Sequence, residues 1–297
     1  MMTKRTARRL NLSVASNVMK QLNQKIGGEH IRVELPKVVV NAGTMVIGID
    51  VCHAGKNSVV GFAASTNVAC TSYFSDFIIQ PKNQELVKRD LDNCLKQALR
   101  AFNENEKKMP EQIVIFRDGV GDGMRQQIET KEVGQFREVL EKLCNKAAIP
   151  KLTLVVVSKR INQRMFLQRG GRFDNPEPGT ILDHSLVENQ DGNKQFDFFL
   201  TPQMTTQGCV TPVHYFVSLN ESDDLTKEAI ENLTYALCFM YSNWAGSIKV
   251  PAPCQLAHKI ADYHHGFDVS GSIKKTGRID KLQLAYQPAF CTKLSYL

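Results

Sequence analysis

The sequence predicts a mixed α/β protein built on one main sheet, and three observations carry that expectation. The run Met45-Val46-Ile47-Gly48-Ile49-Asp50-Val51 has the near-continuous apolar character of a strand covered on both faces. Ile113-Val114-Ile115-Phe116-Arg117-Asp118-Gly119 repeats the pattern and again ends in an aspartate. Apolar residues at helical spacing lie before, between and after these runs, so strands and helices interleave along the chain.

Taken in order, residues 9–26 read as an amphipathic helix, with Leu10, Val14, Val18, Leu22 and Ile26 at four-residue intervals and Gly27-Gly28 as its stop. Extended pieces follow over 30–35 and, after Pro36, to Val40. The first central strand spans 45–51, with 58–65 and 72–80 as hairpin partners. Pro81 and Asn83 open a helix whose stripe is Val87, Leu91, Leu95, Ala98 and Phe102, which puts Glu85 in its first turn. The second central strand covers 112–116, a helix 136–147, and another apolar strand 152–157 before Ser158-Lys159-Arg160. Residues 168–194, rich in Gly, Pro, Asp and Asn, read as surface loop with one short strand near 180–182. Strands over 196–201 and 214–219, a helix over 225–241 and a last helix from Cys254 to about Tyr263 complete the body. Short apolar pieces at 284–286 and 293–297 close the chain.

The composition is that of an ordinary globular protein: 297 residues, 42% hydrophobic and 23% charged, long enough for one large domain or two small ones. The net charge of +7, from 37 basic and 30 acidic residues, leans toward a polyanionic partner. Eight cysteines occur with no C-x-x-C pair, which suits reduced thiols of an intracellular protein better than a disulfide frame or a zinc site. No apolar run approaches the roughly 20 residues that span a bilayer. The start, Met1 to Arg9, lacks the apolar core of a secretory signal, while its arginines and lack of acids are shared with organelle presequences.

Two aspartates at the ends of two buried strands demand a partner, because an isolated carboxylate out of water costs on the order of several kcal/mol. A cationic side chain or a metal ion would each serve. Each aspartate alone could equally cap a turn, and Asp118-Gly119 is a common turn pair. Asp118-Gly119-Val120-Gly121-Asp122-Gly123 is neither an intact calcium loop, since Val120 occupies the third position, nor a dinucleotide fingerprint, since its third glycine falls one residue early. It reads as a tight turn that lets backbone approach an anion. His258 lies on the first turns of a helix opened by Pro251 and Pro253, where a partly buried structural histidine is the plain alternative. A first-turn Glu85 would also favour its helix dipole.

Three blocks, Gly48-Ile49-Asp50-Val51, Phe116-Arg117-Asp118-Gly119-Val120-Gly121-Asp122-Gly123 and Pro251-Ala252-Pro253-Cys254-Gln255-Leu256-Ala257-His258, together resemble the hallmark blocks of the Piwi domain of Argonaute proteins. Residues 155–160, 197–200, 210–215 and 233–235 agree, and Asn243-Trp244 with the Pro-Ala-Pro-Cys-Gln form resembles the Piwi group. The resemblance covers roughly 40–297. It implies an RNase H-like fold with a central mixed β-sheet flanked by helices, and cleavage of a target RNA directed by a small guide RNA. It assigns Asp50, Asp118 and His258 as metal ligands, with Glu85 completing a catalytic tetrad, and Mg²⁺ (or Mn²⁺) as cofactor in a two-metal hydrolysis. Sequence would be read by base pairing and the duplex by its backbone and A-form shape.

Residues 1–40 are similar to the end of the family's Mid domain plus a linker, and 41–297 to the Piwi domain. By that resemblance Gln21, Lys25, Lys159, Arg160, Tyr215 and the C-terminal Leu297 meet the guide 5′-phosphate or RNA. For Lys25 the plain alternative is a lysine favouring the helix C-terminus. No N-terminal, PAZ or complete Mid domain fits before Met45, so the expectation is a shortened chain whose guide loading depends on missing parts. Leu256, Asp262 and His264-His265 also depart from the aromatic or basic residues the family usually offers there. A non-cleaving small-RNA-binding module is the competing function; a DNA-acting RNase H-like nuclease fits the blocks less well. Tudor-type protein partners and a cytoplasmic or nuclear location are further expectations of the resemblance, and no membrane is expected.

Overall fold

The computed structural model describes residues 11–29, 31–53, 57–144, 148–184, 187 and 194–265. The elements are α1 (Leu12–Lys25), α2 (Lys37–Asn41), β1 (Met45–Cys52), β2 (Ser58–Ser65), β3 (Tyr73–Gln80), α3 (Leu91–Glu106) and β4 (Gln112–Asp118). After a 3₁₀ turn come α4 (Arg125–Ile128), a π-helical turn (Glu129–Val133) and α5 (Gly134–Leu143). β5 (Lys151–Ser158), β6 (Leu167–Arg169), β7 (Arg172–Asp174), β8 (Thr180–Leu182), β9 (Phe196–Thr201), β10 (Val213–Asn220), α6 (Lys227–Leu237) and α7 (Ala252–His265) follow.

Eight strands form one mixed sheet in the order β3-β2-β1-β4-β5-β10-β9-β8. β1, β4 and β5 are mutually parallel, and every other pairing is antiparallel. The parallel trio lies at the centre, which is why its sequences read as unbroken apolar runs rather than as alternation.

Side chains alternate across a strand, and the two faces meet different helices. On one face Val46, Val114, Phe116, Val155 and Val157 share a core with Ile230, Leu233 and Leu237 of α6 and with Cys254 and Ala257 of α7. On the other, Ile47, Ile49, Ile113, Ile115 and Val156 pack on Leu91, Leu95, Ala98 and Phe102 of α3 and Phe136, Val139 and Leu140 of α5. Each fully buried Leu or Phe contributes roughly 1.5–3 kcal/mol, which holds the helices on. The same alternation sends Asp50 and Asp118 to the α6/α7 face and Arg117 to the α3/α5 face.

Four sequence expectations are corrected. Residues 37–41 are helical rather than extended: Pro36, at φ −52°, presents the chain for a helical start, and Val39 buries completely. The helix expected from Asn83 begins only at Leu91, because Asn83 and Asp90 both adopt positive φ; Glu85 therefore sits in an irregular loop, not a first helical turn. Helix forms already at Arg125, before the expected 136. The loop at 168–194 contains the small β6–β7 hairpin as well as β8. The pieces at 284–286 and 293–297 lie outside the described residues.

Candidate active site

The site forms at the carboxyl ends of β1 and β4, two adjacent parallel strands. Asp50 and Asp118 leave these ends on the same face, and both are buried. Gly119 follows with φ +87°, a conformation that suits glycine. A Cβ there would stand 3.3 Å from Asp50 Oδ1 and 3.9 Å from Glu85 Oε1, so the missing side chain leaves open space between the two acids.

α7 reaches the site because two strands lack side chains beneath it. A Cβ on Gly48 would lie 2.2 Å from the Pro253 carbonyl, and one on Gly61 would lie 1.8 Å from the Ala257 carbonyl. The helix therefore seats directly on the β1–β2 backbone. That seat puts His258 Nδ1 2.7 Å from Asp50 Oδ2. Across the site, Lys159, just past β5, places Nζ 2.6 Å from Asp118 Oδ2.

Glu85 enters from its loop and is gripped on both oxygens. Oε2 lies 2.7 Å from His53 Nε2, and Oε1 lies 2.9 Å from Arg117 Nη2. Arg117 is fully buried and spends its remaining donors on the Glu85 carbonyl (2.8 Å), the Asp118 carbonyl (2.6 Å) and the Glu132 carboxylate (2.9 Å from Nε).

The electrostatics follow from these neighbours. Burial and the nearby Asp50 charge push Asp118 up to about 6, with Lys159 pulling the other way. Burial also works against ionised Asp50, yet the His258 hydrogen bond and the charges of Lys159 and Arg117 hold it below the usual carboxylate range. The hydrogen bond to Asp50 raises His258 against the effect of burial. Burial lowers Lys249, helped by the neighbouring cations Lys159 and Arg164, so three basic side chains share this edge of the site.

The donor set suits a hard divalent cation. Asp118 Oδ1 is buried with no hydrogen-bond donor, carboxylate oxygens predominate, and Gly119 keeps the space between Asp50 and Glu85 open. As the side chains stand, no three His, Cys, Asp or Glu groups among the described residues are close enough to hold an ion: His258, Lys159, His53 and Arg117 occupy the carboxylates.

The structure thus gathers Asp50, Glu85, Asp118 and His258, and it adds Lys159 as a partner of Asp118. Arg160 is exposed one residue further on. Gln21 and Lys25 lie half-buried four residues apart on α1, outside this network. Tyr215 corrects an expectation: it is fully buried in β10, stacked on Phe198 at 5.1 Å, so it cannot meet RNA. Leu297 and the arginine-rich start lie outside the described residues. Sequence reasoning missed His53 and Arg117. The signal for Arg117 was present, since an arginine inside an apolar strand must find acids when buried; His53 carried none beyond its nearness to Asp50.

Among the described residues no helix is long and apolar enough to cross a membrane. A family model described as the Piwi domain matches residues 1–267. The chain is 41% identical over 253 residues to Piwi-like protein 1 of Gallus gallus, covering 84% of this chain and 28% of that protein. It is 40% identical to Piwi-like protein 3 of Homo sapiens over 84% of this chain and 27% of that one; it spans little more than a quarter of either relative. The crystal structure of Drosophila Piwi superposes with a TM-score of 0.75 at 30% identity, over 96% of this chain and 36% of that one. Kluyveromyces polysporus Argonaute with a guide RNA gives a TM-score of 0.81 at 20% identity, over 98% and 35%, a likeness of fold. The mixed sheet flanked by helices is the RNase H-like fold of these Piwi domains.

Proposed function

The chain belongs to the Piwi family, and from that premise we propose that it is a small-RNA-guided endoribonuclease acting in RNA silencing. The observation that carries this reading is the convergence of Asp50, Asp118 and Glu85 around Gly119, with His258 bonded to Asp50. A module that only held RNA would have no use for buried carboxylates gathered at the ends of two strands.

Asp50, Asp118 and His258 would hold two Mg²⁺ or Mn²⁺ ions, with Glu85 completing the set. The ions, when bound, supply activation of water and stabilisation of the leaving oxygen, so that hydrolysis yields a 3′-hydroxyl and a 5′-phosphate. The chain's own residues prepare the ground. His258 keeps Asp50 ionised and oriented through the 2.7 Å bond. Lys159 neutralises Asp118, and its partial exposure lets it swing to a phosphate of the RNA once Asp118 engages a cation. Arg160, Arg164 and Lys249 add positive charge beside it, suited to backbone contacts. Gln21 and Lys25 would meet the guide 5′-phosphate, on a segment (1–40) we assign to the end of a Mid domain, with 41–297 as the Piwi domain.

The test is cleavage of a labelled complementary RNA by protein given a 5′-phosphorylated guide and Mg²⁺. A single product at a fixed distance from the guide 5′ end, lost in EDTA and in Asp118→Ala, is the expected result. Guide retention without a cut would replace the nuclease by a binding module.

A further inference from the structure

We propose that Glu132, on the π-helical turn Glu129–Val133, is a positioning residue that latches the Glu85 loop into the site. The proposal rests on the reading of Glu85 as the fourth acid and assigns what holds it there. The loop from Pro81 to Asp90 contains no helix or strand, so its peptide groups need other partners. One is a backbone bond, from the Gln84 N–H to the Pro81 carbonyl at 3.3 Å, and side chains supply others. Gln80 Nε2 donates to the Gln84 carbonyl at 2.5 Å, and Gln84 Nε2 donates to the Leu86 carbonyl at 3.0 Å. The Val87 N–H donates to Glu132 Oε1 at 2.8 Å, and the Val87 carbonyl accepts from Gln135 Nε2 at 2.8 Å.

Glu132 does more than close one peptide. Its Oε2 accepts from Arg117 Nε at 2.9 Å and its Oε1 from Nη2 at 3.3 Å. The same guanidinium holds the Glu85 carbonyl and carboxylate. One buried carboxylate therefore fixes the residue two positions after Glu85 and also aims the arginine that grips Glu85 itself. Glu132 is 2% exposed, so water offsets little of its charge and the Arg117 guanidinium and the Val87 N–H carry that role.

Glu132 and Val133 are both buried on this π turn, Val133 in the apolar core and Glu132 against Arg117. Such turns recur at functional sites. Here it spends a core-facing position on an acid that packing does not need.

Two readouts test this on the full chain. Hydrogen exchange in the metal-free protein should rise selectively over residues 84–88 in Glu132→Ala, with β1 and β4 unchanged. Glu132→Gln, which keeps an acceptor and the volume, should restore most of that protection, and Glu132→Met, which keeps the volume but offers no acceptor, stands in for the alanine variant if that variant does not fold. Mn²⁺ binding, read by calorimetry, should weaken about tenfold in Glu132→Ala, the scale expected when the support of a metal ligand is removed. It should weaken no further when Glu132→Ala is added to Glu85→Ala. Unchanged exchange over 84–88, or an equal loss of Mn²⁺ affinity with and without Glu85, would overturn the latch. Neither readout needs RNA cleavage: an inactive wild type with the expected exchange pattern would reject the nuclease and keep the latch.

Discussion

The acids of the site are held in two different ways. Asp50 and Asp118 are the continuations of β1 and β4, and the ladder that pairs Met45–Ile49 with Ile113–Arg117 fixes their separation before any side chain acts. Glu85 sits on a loop without a ladder, held by His53, Arg117, Glu132, Gln135 and Gln80. A strand-held acid is set by backbone hydrogen bonds that nearly any sequence can make. A loop-held acid is set by particular side chains, so it can be lost while the fold stays intact. The first kind of position is robust but costly in charge, since burial raises Asp118 to about 6; the second is adjustable.

The largest effect should come from cutting the network behind Glu85. Arg117→Met leaves Glu132 buried without its partner and Glu85 without one of its grips. Breaking a buried pair by removing one side costs about 3–5 kcal/mol, so urea unfolding should shift by that amount. The strand acids should still be in place in whatever folds, and Mn²⁺ affinity should fall as it does in Glu85→Ala. A shift below about 1 kcal/mol, the scale of an exposed ion pair, would mean that the loop is not held through this guanidinium.

The charge cost of the strand-held acids is open to a pH experiment. Asp118 has a folded pKa of about 6, raised from 3.8, so it binds its proton more tightly folded than unfolded. Its contribution to stability is fully present below about pH 4 and is lost as pH rises through about 6. In EDTA, the stability of wild type relative to Asp118→Asn should therefore decline as pH rises from 4 to 7. Added Mn²⁺ should reverse the trend, because a cation favours the ionised carboxylate that the variant lacks. Parallel profiles in EDTA would show that Lys159 already offsets the burial completely.

This contrast also marks what was legible in the sequence. The central strands and their terminal aspartates stand out, because a strand buried on both faces must be an apolar run, and an acid at its end breaks the pattern. The His258 helix is legible through Pro251 and Pro253. Glu85 is legible only through family resemblance. Its local pattern reads as a helical first turn, and nothing nearby reveals that Asn83 and Asp90 take positive φ or that Glu132, 47 positions on, satisfies the loop. Tyr215 fails for the converse reason: its alternation in β10 turns it into the core, and a motif match says nothing of facing. Lys159 was read toward RNA, while its ammonium lies on Asp118, a pairing set by β4–β5 register rather than by nearness in sequence.

The smallest expected change probes the seat of α7. Gly61 gives the chain no catalytic group, but a Cβ there meets the Ala257 carbonyl oxygen at 1.8 Å and its carbon at 2.7 Å. Both are backbone atoms, so no side chain can rotate away. Contact distances near 3.5 Å require a helix shift of about 1.7 Å, and overpacking of this kind costs about 1–3 kcal/mol. In a chain of this size Gly61→Ala should lower Tm by about 2–4 °C for each kcal/mol. Ala257 precedes His258, so the shift should also open the 2.7 Å bond to Asp50. That bond is the main influence raising His258; its pKa, followed by NMR of the imidazole, should fall back toward 6.5. A loss of stability with the His258 titration unchanged would show that the imidazole follows Asp50 rather than its own helix, and would place His258 with the adjustable groups instead of the strand-fixed ones.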